Sequence, residues 1–249
     1  MKKKDEEDLI QSPVVVAVDP GGVTGWSVIQ VHPEALSDPA IPILANIEHW
    51  SHGQIKSPAN DTDEQDCVTE LVGIVKQWPG CSVLMEDFIL RMFSMGRELL
   101  APVRLNAMFA YALRTELGME VTHRQQPSEA KTIATDIRLK EWGLYEREGG
   151  LEHARDADRH AIVWMRKAKD PVRGPARRAL WWPHLYGPGA PYYVAPAARP
   201  AGSNGARTVR LLDAEVGKSP EELAAVTKPV FRTAATGRHV VGLKRSGYK

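Results

Sequence analysis

The chain predicts an α/β fold: a mixed five-stranded sheet with helices on both faces. Three observations carry this. The apolar run Val14-Val15-Val16-Ala17-Val18 stops at Asp19-Pro20-Gly21-Gly22, and a second run resumes within a few residues, which marks an antiparallel hairpin. Later short apolar runs alternate with stretches of helical periodicity, which is the pattern of βα units. The order read from the whole body is β-β-β-α-β-α-β-α-α, so antiparallel strands come first and parallel ones follow.

Each element has a local reason. Residues 13–19 are rich in β-branched side chains and form a buried strand. Thr24-Gly25-Trp26-Ser27-Val28-Ile29-Gln30-Val31 is the second strand, and a third lies at about 43–50, reaching toward 55. From Glu64 to Trp78 the apolar positions Val68, Leu71, Val72 and Val75 repeat with helical spacing, and Pro79-Gly80 ends the run. Strand four is 81–86. A long helix spans 97–117, with Leu100, Val103, Ala107, Ala110 and Leu113 as its apolar positions and Gly118 just past its end. Strand five covers 119–124, a helix opens at Pro127-Ser128 and runs to about 141, and the last body helix spans about 151–168.

Beyond residue 170 the periodicity breaks down. Asp170-Pro171, Gly174-Pro175, Trp181-Trp182-Pro183 and Gly187-Pro188-Gly189 are punctuators. The organisation expected is a charged arm at 1–12, an α/β body at 13–169, and a basic Pro/Gly-rich extension at 170–249. Ser219-Pro220-Glu221-Glu222 opens a short helix at about 220–227 within that extension.

Composition narrows the function. Hydrophobic residues make up 43% and charged residues 25% of the 249-residue chain, which suits a packed core. Cys67 and Cys81 have neither metal-ligand nor redox spacing, which fits a reducing cytoplasm. No apolar run approaches a membrane span, and the first residues lack the apolar segment of a signal peptide. Residues 170–249 carry 13 Lys and Arg against 5 Asp and Glu, and residues 1–169 carry 19 against 26. An acidic body with a basic tail suits a protein whose body holds cations and whose tail holds a polyanion.

Three acidic positions stand out. Asp19 ends a buried strand before a Gly-rich turn, although turn chemistry alone also accepts Asp there. Glu86 and Asp87 follow the run Ser82-Val83-Leu84-Met85. Alternate residues of a strand face opposite ways, so only one of the two can face Asp19. In the last helix, at 100° per residue, His153, Asp156 and His160 fall within about 60° of one another. Ala154, Ala157, Ala161, Trp164, Met165 and Ala168 form the neighbouring apolar stripe. Asp158 lies on the other flank. Carboxylates at strand ends with a His/Asp pair on a late helix form a cage for hard divalent cations, and two such ions suit phosphodiester cleavage.

The string Val18-Asp19-Pro20-Gly21-Gly22-Val23-Thr24-Gly25-Trp26 resembles the first motif of RuvC-like Holliday junction resolvases, in the ribonuclease H-like superfamily. The phage-type branch is most similar, with a loop one residue shorter than the usual bacterial form. Leu84-Met85-Glu86-Asp87-Phe88 matches the family's second acidic motif and selects Glu86. His153-Ala154-Arg155-Asp156 matches its His-x-x-Asp variant on the last helix. The resemblance covers about residues 13–168.

The resemblance implies a ribonuclease H-like fold and a homodimeric, metal-dependent endonuclease acting on four-way DNA junctions in recombination, replication or repair. It implies Asp19, Glu86, Asp156 and His153 as catalytic and ligand residues, with two Mg²⁺ or Mn²⁺ ions per site. Phosphate contacts are expected from Arg124, Lys131 and Lys140. Lys131 is similar to a family lysine that approaches the scissile strand. Phe88 and Phe93 are candidates for an aromatic wedge or for the core, and Trp181, Trp182, Tyr192 and Tyr193 are candidates for base stacking or for packing back onto the body. Two rival readings are an actin or sugar-kinase-like ATPase and a non-catalytic DNA-binding protein of the same fold. The first needs a second phosphate loop and a second domain, neither of which the sequence displays; intact acids argue against the second.

Overall fold

A computed structural model describes residues 11–56, 60–87, 100–145 and 151–195. Five strands form one sheet: β1 (Val14–Asp19), β2 (Val23–Val31), β3 (Ile47–Lys56), β4 (Ser82–Glu86) and β5 (His123–Gln125). Their order is β3-β2-β1-β4-β5. β1 to β3 form an antiparallel meander, and β4 and β5 add parallel to β1. This is the mixed five-stranded sheet expected.

Eight helices accompany it among the described residues. They are α1 (Pro33–Ser37), α2 (Asp61–Lys76), α3 (Ala101–Leu117), α4 (Pro127–Ile133), α5 (Asp136–Glu141), α6 (Glu152–Lys169), α7 (Gly174–Trp181) and α8 (Pro183–Tyr186). β1 is buried along its whole length because helices cover both of its faces. Val14, Val16 and Val18 pack with α2 and α3 through Val68, Leu71, Leu105 and Phe109. Val15 and Ala17 pack with α6 through Ala161, Ile162, Trp164 and Met165. The alternation that sends Val15 and Ala17 toward α6 sends Asp19 to the same side.

Several boundaries differ from expectation, each for a local reason. β3 starts later, because a 3₁₀ turn at Leu44–Asn46 occupies the expected first residues. The expected helix to 141 is broken into α4 and α5, with the Thr135 side chain capping α5. β5 is confined to three residues, beginning at His123. In α3 the buried face is Ala101, Leu105, Asn106, Phe109, Ala112 and Leu113, whereas Leu100 and Val103 are 40% and 46% exposed. Spacing alone misplaced that stripe, because α3 turns its aromatic Phe109 toward the sheet. Gly118 does close the helix, at φ 62°.

The largest correction concerns residues 170–195. Residues 170–195 belong to the same compact unit as the sheet, so the body does not stop at 169. α7 and α8 pack Trp181, Trp182, Leu185 and Tyr186 into the α6 face of the sheet. Trp164 stacks on Trp181 with ring centroids 3.4 Å apart. Trp182 Nε1 donates to the Val14 carbonyl at 2.9 Å, and Tyr186 donates to the Pro33 carbonyl at 2.7 Å. Arg178 is buried and donates to the carbonyls of Leu36 and Ala168. Here proline and glycine mark tight joints between short packed helices. Trp181 and Trp182 are therefore core residues and not base-stacking platforms. The helix expected at 220–227 lies outside the described residues. Among the described residues no helix is long and apolar enough to cross a membrane.

Candidate active site

β1 and β4 are adjacent and parallel, with Val18 opposite Met85. Asp19 and Glu86 are the next residues on the two strands, so both carboxylates leave the same edge of the sheet. Glu86 continues the alternation through Ser82 and Leu84, which face α6: Leu84 joins the α6 cluster, and Ser82 accepts a hydrogen bond from Trp164 at 3.2 Å. Asp87 falls on the opposite parity, so Glu86 is the acid turned toward α6.

α6 supplies the other half. Its first turn lies directly on β2, at Gly25. A Cβ at Gly25 would overlap the His153 carbonyl, so only glycine permits this approach. Gln54 of β3 then receives the helix start: its Oε1 accepts from the His153 backbone N–H at 2.8 Å and from that of Ala154 at 3.4 Å. The Leu151 cap has no side-chain bond of its own, so β3 provides one from a distance. Thr24 folds the preceding turn, donating to the Gly21 carbonyl at 3.1 Å.

This docking brings the side chains together. His153 Nδ1 lies 2.8 Å from Asp19 Oδ2. Two turns further along α6, His160 Nε2 lies 2.6 Å from Glu86 Oε2. Between them Asp156 pairs with Arg159 and, at 3.0 Å, with Lys131 of α4. Arg159 also binds Asp136 and the Ala134 carbonyl, which ties α5 to α6.

The electrostatics record the crowding. Burial pushes the Asp19 carboxyl above its ordinary 3.8; the His153 hydrogen bond pulls it back, and the charges of Glu86 and Asp156 push it up again. His153 rises above its ordinary 6.5, chiefly through its hydrogen bond to Asp19 and against desolvation. For Lys131, desolvation pulls the ammonium down, but Asp156, Glu86 and Asp19 together outweigh it and the net shift is upward. Lys131 thus feels all three acids.

Asp158 does something else. It is wholly buried and accepts from Ser27 at 2.6 Å and Trp50 Nε1 at 2.9 Å, with His52 Nδ1 2.6 Å away. It anchors α6 to β2 and β3 and thereby sets the register that presents His153 and Asp156. Its flank of the helix was legible; its burial was not, because the partners come from two other strands.

The remaining predicted site residues are scattered. Arg124 is exposed on β5 and lines a groove of about 670 Å³ with His123, Ser128, Glu129 and Thr132. Lys140 lies 4.6 Å above the Tyr145 ring. Of these basic candidates Lys131 is the one that contacts the acids. Phe88 and Phe93 lie outside the described residues. Sequence reading missed the roles of Gly25, Gln54 and Arg159. It placed His160 beside His153 and Asp156 by helical phase but gave it no partner.

Among the described residues no three His, Cys, Asp or Glu side chains converge tightly enough to hold an ion. Each acid is paired separately: Asp19 with His153, Glu86 with His160, and Asp156 with Arg159 and Lys131.

No protein-family model matches the sequence, and no curated protein matches it at a significant level. Among solved structures the chain is similar to Thermus thermophilus RuvC. The structure of that protein in complex with a Holliday junction substrate is 18% identical, with a TM-score of 0.41, covering 60% of this chain and 91% of that one. A second RuvC structure is 19% identical, also at 0.41, covering 60% and 92%.

Proposed function

We propose that the protein is a metal-dependent endonuclease that nicks branched DNA, a RuvC-like resolvase acting as a homodimer on four-way junctions. One observation carries the reading. Three carboxylates from distant sequence positions share an electrostatic neighbourhood at one edge of the sheet, with the charges of Glu86 and Asp156 both acting on buried Asp19. Gathering like charge in a half-buried place is unfavourable for folding and suits a site whose acids serve a ligand. The His-x-x-Asp spacing on α6 supports the phage-type form of the reading.

The donor set fits a hard divalent cation. Asp19, Glu86 and Asp156 offer carboxylate oxygens, and His153 offers an imidazole nitrogen once it gives up its proton. When bound, Mg²⁺ or Mn²⁺ supplies positive charge that activates water and stabilises the leaving 3′-oxygen. The chain's own residues do the rest. Asp156 would hold the cation together with Asp19 and Glu86, and Arg159 and Lys131 beside it would meet phosphate oxygens. His153, 45% exposed beside Asp19, would be a further ligand or would orient water. Arg155 and Arg159 line a groove of about 550 Å³ beside Asp156, where they would meet phosphate oxygens.

The test compares cleavage of a synthetic four-way junction with that of a linear duplex, with Mg²⁺ and with EDTA. The proposal requires metal-dependent nicks at the junction. Junction binding without cleavage in any divalent cation would instead favour a DNA-binding protein that kept the fold.

A further inference from the structure

We propose that His160 is a positioning residue for Glu86, so that α6 sets both strand-end acids through two histidines. The inference rests on the nuclease reading above. His153 and His160 are two helical turns apart, about 10 Å along the axis. That separation lets one helix cross two adjacent strands and reach Asp19 with the first histidine and Glu86 with the second.

Burial separates the roles of the pair. The His153 side chain is 45% exposed and can meet a ligand. The His160 side chain is 1% exposed, behind a Glu86 that is 18% exposed, so it cannot reach substrate. It acts through Glu86 alone. Its only described hydrogen bond is the one to Glu86 Oε2, while its Nδ1 is buried and has no partner among the described residues. Burying an imidazole with one nitrogen unsatisfied costs stability that an apolar side chain would not cost. Packing alone therefore does not account for a histidine here, whereas orienting a carboxylate does.

Glu86 is held from a second direction as well. Asn106 Nδ2 of α3 donates to its backbone carbonyl at 3.2 Å. α3 fixes the main chain and α6 fixes one carboxylate oxygen, which restrains the side-chain rotation without engaging both oxygens. Outer partners of ligating carboxylates act in this way, and losing one costs about 10- to 100-fold in metal affinity or activity.

The test uses the full chain. His160→Leu removes the donor and keeps an apolar filling; His160→Gln restores an N–H donor. Four quantities are read: thermal unfolding, junction affinity without Mg²⁺, Mg²⁺ affinity by calorimetry without DNA, and the single-turnover nicking rate at saturating junction. His160→Leu is expected to lose about 10- to 100-fold in nicking rate and Mg²⁺ affinity with junction affinity unchanged, and His160→Gln to recover most of that loss. Unchanged rate and Mg²⁺ affinity in His160→Leu would overturn the proposal, as would a parallel fall of junction affinity and stability in both variants. Should His160→Leu not fold, the wild-type imidazole ¹⁵N resonances of His160 decide: a shift on Mg²⁺ addition supports the role and fixed resonances refute it. Asp19→Asn runs beside these as the control for the reading itself. If Asp19→Asn cleaves like wild type, the nuclease reading is at fault; if it is inactive while His160→Leu is unaffected, only the positioning role fails.

Discussion

His153 Nδ1 and Asp19 Oδ2 stand 2.8 Å apart although 134 positions separate them in sequence. The contact joins the end of the central strand to the first turn of the last long helix. It exists because Gly25 lets that turn lie on β2 and because Gln54 receives its backbone N–H groups.

The pair makes stability without metal depend on pH in a definite direction. Asp19 and His153 both have folded pKa values above their ordinary 3.8 and 6.5. A group raised in this way favours the fold below its unfolded value, and that contribution is lost as pH rises through the folded value. Loss is expected from about pH 4 upward for Asp19 and from about pH 6.5 upward for His153. Asp19→Asn removes both effects. Thermal unfolding in EDTA should therefore show the variant gaining on wild type as pH goes from about 5 to 8. A gap independent of pH would contradict this.

Gly25→Ala tests the close approach. The added methyl meets the His153 carbonyl, so α6 must shift. Overpacking of this kind costs about 1–3 kcal/mol, and a displacement near 1 Å at a catalytic group costs about 100-fold in rate. Urea unfolding and single-turnover nicking should both register the change; wild-type values in both would mean that the helix start tolerates movement.

Asp156 and Asp158 should separate activity from stability. Asp158→Ala leaves Ser27, Trp50 and His52 without their shared acceptor, a loss of about 3–5 kcal/mol by analogy with broken buried pairs. Asp156→Asn should abolish nicking while changing the unfolding midpoint little, because its partners Arg159 and Lys131 keep access to solvent or to other acids. Equal behaviour of the two variants would mean that α6 presents a different face to the acids.

The C-terminal half of the chain divides at a different place from the one its composition suggests. Removing residues after Lys169 deletes Trp182 and Tyr186, and loss of one large buried aromatic alone costs about 3–5 kcal/mol. That truncation should not fold. Truncation after Ala197 should fold, and it removes 10 Lys and Arg against 4 Asp and Glu. If that tail neutralises phosphates, the slope of log affinity against log salt becomes shallower by about 0.9 for each phosphate it no longer pairs with. An unchanged slope would leave the tail without a DNA role.

The sheet and the strand-end acids were legible because they rest on local signals. The β-branched run before Asp19, the stop at Pro20-Gly21-Gly22 and the helical phase of His153 and Asp156 are each contained in a few neighbouring residues. What was not legible depends on partners far away in sequence. Trp182 reads as a loop aromatic until the Val14 carbonyl is known to lie against it. Asp158 reads only as an acid on the other flank of the helix until Ser27, Trp50 and His52 surround it. Gly25 reads as an ordinary strand residue, yet its function is to admit a helix from the other end of the body.

The central claim is that Asp19 belongs to a metal-dependent cleavage centre. The most direct measurement is single-turnover nicking of a synthetic four-way junction in Mg²⁺ by wild-type protein and by Asp19→Asn, with binding measured in parallel. Wild type is expected to nick in a way that EDTA abolishes, and Asp19→Asn to bind the junction without nicking it. Nicking by Asp19→Asn at the wild-type rate would contradict the claim.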